Sequence, residues 1–177
     1  LLCGVGGQGT VLASRLIAQA AMNRGDFART AETIGMAQRG GCVVSHVRWG
    51  QAVDSPLIPL RGADALIGFE PGEAVRCLPY LKKEGWAVVS ADPVPSVMAA
   101  LGSSEYEGAQ MIAFLQKAVP RLVIVDGAAI ARACGSAKTL NLALLGAAAA
   151  CGALDLSAQA LLEVLAGRMK PQLLEMN

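Results

Sequence analysis

The sequence predicts an α/β fold: a mostly parallel sheet with helices on both faces, giving three layers, and a helical C-terminal segment. Three observations predict it. Short apolar runs at residues 63–69, 86–90 and 122–125 read as buried strands. Segments of helical periodicity lie between or beside them. A glycine-rich turn, Gly4-Val5-Gly6-Gly7-Gln8-Gly9, joins the opening apolar run to the first amphipathic segment.

In chain order, residues 1–3 read as the end of a buried strand. A helix follows over 10–24, with Leu12, Leu16 and Ala20 as an apolar stripe and Arg15, Gln19 and Asn23 as a polar one. Gly25 stops it. A short strand is expected over 27–31, then an irregular segment over 32–41. Residues 42–49 alternate, with Val43, Ser45, Val47 and Trp49 on one side and Cys42, Val44, His46 and Arg48 on the other. Pro56 and Pro59 mark a loop. After the strand at 63–69, a helix is expected over 71–83, with Pro71 in its first turn and Gly85 ending it. Asp92-Pro93 and Pro95 punctuate the stretch after the strand at 86–90. A helix over 110–118 precedes the strand at 122–125, which Asp126-Gly127 closes. Helices are then expected over 128–134, 138–152 and 157–168, the last with Ser157 as its N-cap. No repeat or internal boundary interrupts the chain, so residues 1–177 read as a single domain.

Composition narrows the function classes. Apolar residues make up 54% of the chain and charged residues 16%, against about a quarter charged in ordinary domains. So few charges coat a monomer poorly, and the isolated chain is expected to form a homo-oligomer or to bury one face on a partner. A net charge of +1 without a basic run argues against nucleic acid. The longest apolar stretch, 142–154, falls short of the roughly 18 residues of a membrane span and reads as a buried helix. No signal-peptide pattern is visible, so a cytoplasmic location is expected. Cys3, Cys42, Cys77, Cys134 and Cys151 have no C-x-x-C spacing. That argues for reduced thiols, and against a metal cluster built from this chain alone.

Two glycine-rich segments carry the chemistry. Gly4, Gly6 and Gly9 satisfy G-x-G-x-x-G between a strand and a helix, where backbone N–H groups and the helix dipole favour a phosphate. A tight turn with no ligand needs glycines too, and both readings stand. Glu32, 23 residues after Gly9, suits the ribose-binding acid of a dinucleotide site. Against that reading, a basic glycine-bounded loop, Gly35-Met36-Ala37-Gln38-Arg39-Gly40-Gly41, stands where a βαβ unit would continue. Arg39 is either a planar fork for a carboxylate or phosphate, or a surface arginine in a turn. Glu70, Asp92 and Asp126 each follow a strand and so line the carboxyl edge; Glu70 and Asp126 also precede helices, with capping the favoured reading. His46, the sole histidine, reads as a hydrogen-bonded strand residue rather than a base.

Cys3 to Thr10, followed by Gly35 to Gly41 and then Ser45, Val47 and Arg48, resembles the gamma-type component of the 2-oxoacid:ferredoxin oxidoreductases, most of all the indolepyruvate branch. The likeness continues through Ser55-Pro56-Leu57-Ile58, Phe69-Glu70-Pro71, Asn141 with Leu144-Leu145-Gly146, and Glu175-Met176-Asn177. It implies an assembly that decarboxylates a 2-oxoacid on thiamine diphosphate, forms acyl-coenzyme A and passes electrons through iron–sulfur clusters to ferredoxin. The thiamine and cluster sites are expected on the partner subunit. For this chain it implies no catalytic residue. Coenzyme A is the candidate ligand, its anionic end met by Gly4, Gly6, Gly7, Gln8, Gly9 and Thr10 together with Gln38, Arg39, Gly40 and Gly41. Two alternatives remain: a free-standing NAD(P)- or FAD-binding oxidoreductase, and a ligand-free assembly subunit.

Overall fold

The computed structural model describes residues 1–34, 40–94, 106–136 and 139–168. Six strands form one sheet: β1 (Leu2–Val5), β2 (Phe27–Ile34), β3 (Cys42–Gly50), β4 (Ala63–Gly68), β5 (Leu81–Ser90) and β6 (Arg121–Val125), in the order β2-β3-β1-β4-β5-β6. The pairings β1–β4, β4–β5 and β5–β6 are parallel, whereas β2–β3 and β3–β1 are antiparallel. The helices are α1 (Thr10–Asn23), α2 (Pro71–Cys77), α3 (Gly108–Ala118), α4 (Gly127–Cys134), α5 (Leu140–Ala150) and α6 (Ala158–Ala166).

Strand alternation divides the core into two layers, as a sheet covered on both faces requires. Leu2, Ala65, Ile67 and Val88 point to one face, where Leu16 and Ile17 of α1, Leu144 and Leu145 of α5, and Leu161 and Val164 of α6 meet them. Cys3, Leu66, Ala87 and Val89 point to the other, under Ala74 and Cys77 of α2 and Leu115 of α3. Leu12, expected on the apolar stripe, is instead exposed in the first turn of α1 beside the glycine turn. The apolar run after Leu142 folds as α5, and no helix among the described residues is long and apolar enough to cross a membrane. Ser157 caps α6 as expected, its hydroxyl accepting from Ala160 N at 3.1 Å.

Two expectations are corrected. The helix anticipated over 71–83 ends at Cys77, and a 3₁₀ turn (Leu78–Tyr80) leads straight into β5. Pro79 explains the stop, because it donates no N–H and its ring excludes a continuing α turn. Gly85 lies inside β5, at the bulge between the Ala63–Leu81 and Ala65–Trp86 pairs. A Cβ there would meet Ala63 O at 3.1 Å and Asp64 O at 3.0 Å, so the bulge requires glycine. The second correction concerns residues 32–34, which continue β2 rather than starting an irregular segment. Antiparallel pairing to β3 supplies the hydrogen bonds that hold them extended.

His46 sits on β3 with its ring buried against Tyr80, the centroids 5.8 Å apart. Its Nδ1 accepts from Ile58 N at 3.1 Å, which fixes the loop between β3 and β4. Burial holds its pKa below the ordinary histidine value, and only the neutral ring can accept this bond. Folded His46 therefore binds its proton less tightly than the unfolded chain does. Stability is complete above about pH 6.5 and falls as pH drops from there through the lowered folded value. Urea midpoints measured from pH 7 to pH 5 should decline, and His46→Gln should flatten that decline; an equal slope in the variant would refute this role.

Candidate functional site

The parallel strands aim their carboxyl ends at one edge, and both glycine-rich segments meet there. The antiparallel β1–β3 ladder closes with Val5 opposite Cys42. It then runs on into the loops. Gly6 N donates to Gly41 O at 2.8 Å, and Gly40 N to Gly6 O at 3.5 Å. Gly7, Gly9 and Gly40 have φ of 105°, 88° and 74°, left-handed values at which other residues are strained. Gln38 and Arg39 lie outside the described residues.

Within the first turn the residues divide by task. Gln8 Oε1 accepts from Val5 N at 2.7 Å, and Gln8 Nε2 donates to Phe69 O at 2.9 Å. The side chain thus ties the end of β1 to the end of β4 and spans the crevice between them. Gly4 is required by packing, since a Cβ would meet Gln8 Oε1 at 2.7 Å and Phe69 Cβ at 2.8 Å. The Gly6 amide is already spent on Gly41. What faces outward is the start of α1, where Gly9 holds the N-cap position with no side-chain cap and no acid in the first turn. Thr10, its first residue, is buried. Unsatisfied N–H groups and the positive end of the dipole make such a helix start attractive to an anion.

Two of the three carboxylates at the same edge, Glu70 and Asp126, are caps. Glu70, 3% exposed, accepts from Glu73 N at 2.8 Å and from the Tyr106 hydroxyl. Burial, and then the Glu70 carboxylate, hold the Tyr106 phenol well above its usual range, so it remains a donor. Asp126 Oδ1 accepts from Ala129 N at 2.8 Å to cap α4. Asp92 accepts from Ser90 Oγ at 3.2 Å. Cys42, which is exposed, donates to Glu73 Oε1 at 2.9 Å, and this bond raises its thiol above the ordinary range, unlike an activated nucleophile. Cys3 and Cys77 are buried, and the Cys3 thiol is raised first by its hydrogen bond with Cys77 and then by burial.

Glu32 does not reach this site as a ribose-binding acid would. It pairs with Ser45 on β3, and Ser45 pairs with Leu2, so a whole strand separates it from β1. Its level in the sheet is Leu2, well short of the turn. Sequence reasoning passed over Tyr106 and named Asn141 only within the family likeness, without a place at the site. Tyr106 carried no pattern that tied it to Glu70. Asn141 did leave a signal, as one polar residue at the head of the apolar run that becomes α5; it is 8% exposed, and a Cβ on Gly9 would lie 2.7 Å from its Nδ2.

Comparison with known proteins agrees with this arrangement. The family described as pyruvate ferredoxin/flavodoxin oxidoreductase matches residues 1–177. Indolepyruvate oxidoreductase subunit IorB of Archaeoglobus fulgidus is 38% identical over 180 residues, covering 100% of this chain and 88% of that protein. Among solved structures, the gamma subunit of a keto/oxoacid ferredoxin oxidoreductase from Geobacter sulfurreducens superposes with a TM-score of 0.67 at 19% identity, covering 99% of this chain and 88% of that one. A 2-oxoglutarate:ferredoxin oxidoreductase from Magnetococcus marinus, solved with 2-oxoglutarate, coenzyme A and succinyl-CoA bound, gives a TM-score of 0.67 at 18% identity. That alignment covers 99% of this chain and 28% of the other. At these identities the two structures establish the fold.

The double bond made by Gln8 sets a test of the clamp. Gln8→Ala leaves Val5 N and Phe69 O without their partner and should cost about 1–3 kcal/mol. Gln8→Glu keeps an acceptor for Val5 N but turns a second acceptor toward Phe69 O, so it should also destabilise. Urea unfolding of both variants measures this, and wild-type stability in both would show the clamp to be idle.

Proposed function

The chain belongs to the pyruvate ferredoxin/flavodoxin oxidoreductase family, and from that premise we propose that it works as a single gamma-type domain in an indolepyruvate-type 2-oxoacid:ferredoxin oxidoreductase. It contributes a docking edge and a coenzyme A site to a reaction carried out on a partner subunit. That partner binds thiamine diphosphate and the iron–sulfur clusters and delivers electrons to ferredoxin. The scattered cysteines of this chain suit the division of labour. Unpaired thiols and a ferredoxin-linked reaction suit the cytoplasm.

One observation carries the reading: the Gly6 N to Gly41 O bond joins the two glycine-rich segments into one surface beside the uncapped start of α1. Coenzyme A, when bound, supplies the thiol that accepts the acyl group, and its diphosphate is the part this surface fits. Gly7, Gly9 and Thr10 offer donors at the α1 start. From the second segment, Gly40 and Gly41 are joined to the turn at Gly6, and Gln38 and Arg39, which precede them in the sequence, are the proposed side-chain partners, the Arg39 guanidinium for phosphoryl oxygens. Gly4, Gly6 and Gln8 shape the turn. An NAD(P) or FAD site is disfavoured by the strand between Glu32 and β1. Exposed Phe27, Leu57 and Leu60 add apolar surface for contacts between subunits.

Co-expression should recover this chain with a larger subunit that carries thiamine diphosphate and iron–sulfur clusters. Titrating coenzyme A into that complex should show binding that Arg39→Ala weakens by roughly 10-fold or more, the usual worth of a charge-assisted hydrogen bond. Undiminished affinity in Arg39→Ala would leave the two loops as a subunit contact alone.

A further inference from the structure

Toward the end of the β2–β3 hairpin that lies away from the glycine turn, the sheet sets two like charges face to face. Arg29 on β2 pairs directly with Arg48 on β3, so both side chains rise from one face. Like charges in direct opposition destabilise a ladder. Carbonyls of the loop between β3 and β4 hold both guanidinium groups. Arg29 Nε donates to Val53 O at 2.8 Å, and Arg48 Nη1 donates to Ser55 O at 2.8 Å and Leu57 O at 3.4 Å. Neutral acceptors leave the charge in place. The ion pairs among the described residues use Arg24, Arg76 and Lys82, and none includes Arg29, Arg48 or Asp54, the acid of that loop. Both Nη groups of Arg29, and Nε and Nη2 of Arg48, remain free to donate among the described residues. Apolar side chains border the pair. Phe27 lies two positions before Arg29 on the same face of β2, and Phe27, Leu57 and Leu60 are each more than half exposed. The loop that carries the two leucines is fixed. Leu57 N donates to Ser55 Oγ at 3.2 Å, Ile58 N to His46 Nδ1 at 3.1 Å and Arg61 N to Pro79 O at 3.0 Å. A surface ordered in advance loses little entropy when it binds.

We propose that this surface docks the larger partner subunit, through a segment that sets a carboxylate over the Arg29–Arg48 pair and apolar side chains against Phe27 and Leu57. The proposal rests on reading the chain as one subunit of a larger enzyme, and it adds a contact away from the glycine-rich edge. A carboxylate there offsets both charges, and the planar forks of two arginines suit its oxygens. Arginine bordered by exposed aromatic and aliphatic side chains is the composition of an interface core. A second copy of the chain is a poor occupant. A two-fold contact of this surface with itself would bring both arginine pairs together, like charge against like.

The test uses the full chain co-expressed with its partner, with the apparent Kd read from dissociation of the purified complex on dilution. Arg29→Glu is the informative variant. It places an acid opposite Arg48, an opposite-charge pair that favours the ladder, while it cancels the charge offered to the partner. The apparent Kd should rise roughly 10-fold or more, with no loss of melting temperature in the chain. Added sodium chloride should weaken the wild-type complex more steeply than the variant complex. Leu57→Asp, at an exposed position, should raise the apparent Kd by a similar factor, and it decides the matter should Arg29→Glu fail to fold. Apparent Kd values within about twofold of wild type in both variants overturn the proposal and leave the partner reading standing. Failure to recover any thiamine- and cluster-bearing subunit with the chain removes both. Self-association of the isolated chain that both variants abolish, with partner binding intact, assigns the surface to a second copy and likewise overturns the proposal.

Discussion

The hydrogen bond from Gly6 N to Gly41 O is the contact on which the arrangement of the site depends. It extends the β1–β3 ladder past the last paired residues, so two segments more than thirty positions apart share one surface. For the chain to make this bond, the turn after β1 must bend at once, and left-handed Gly7 and Gly9 permit that. Gln8 then locks the bend by satisfying one backbone group on each of two strands. Glycine and glutamine divide the work: one supplies backbone freedom, the other removes it.

The antiparallel β2–β3 hairpin sets the second constraint. In a doubly wound dinucleotide fold the strand after the first helix lies next to β1, and its final residue reaches the ligand. Here β3 takes that place and runs the other way. The segment leading into β3 therefore arrives at the carboxyl edge, and the site is completed by the start of a strand rather than by the end of one. The same insertion carries Glu32 out to an edge strand. A motif shared with dinucleotide-binding folds thus serves a different neighbourhood.

Much of this was legible in the sequence for a physical reason. Strands buried on both faces must be apolar throughout, so β4 and the last part of β5 announced themselves; β6 was apolar enough to read the same way, although it is a half-buried edge strand. The turn announced itself through its glycines, and Ser157 through its capping chemistry. Other features depend on partners distant in sequence. Whether residues 32–34 were strand or loop depended on β3, which pairs with them. The early end of α2 was signalled by Pro79, outweighed by an apolar periodicity that Leu81 continues as a strand residue. At the site, the glycines were visible but their tasks were not. Gln8 is recognisable as a clamp only when Phe69 is known to lie beside it. The Gly6 amide, likewise, looks free for a ligand until Gly41 O is found accepting from it. Tyr106 meets Glu70 across 36 positions, a distance at which no local pattern operates.

The helix starts at this edge complete the argument. Each is a place where an anion is favoured, and the protein fills two of them itself. Glu70 occupies the start of α2, and Asp126 that of α4. Carboxylates fixed in this way are internal ligands: they satisfy the N–H groups and leave nothing for a solute to gain. α3 begins without a cap, but against Pro93, which packs on Gly108. α1 and α5 are left uncapped side by side, joined by the contact between Gly9 and Asn141. A fold that caps two neighbouring helices with its own acids and leaves α1 and α5 uncapped keeps the first-turn amides of these two unclaimed by side chains, next to the turn where the two glycine-rich segments meet.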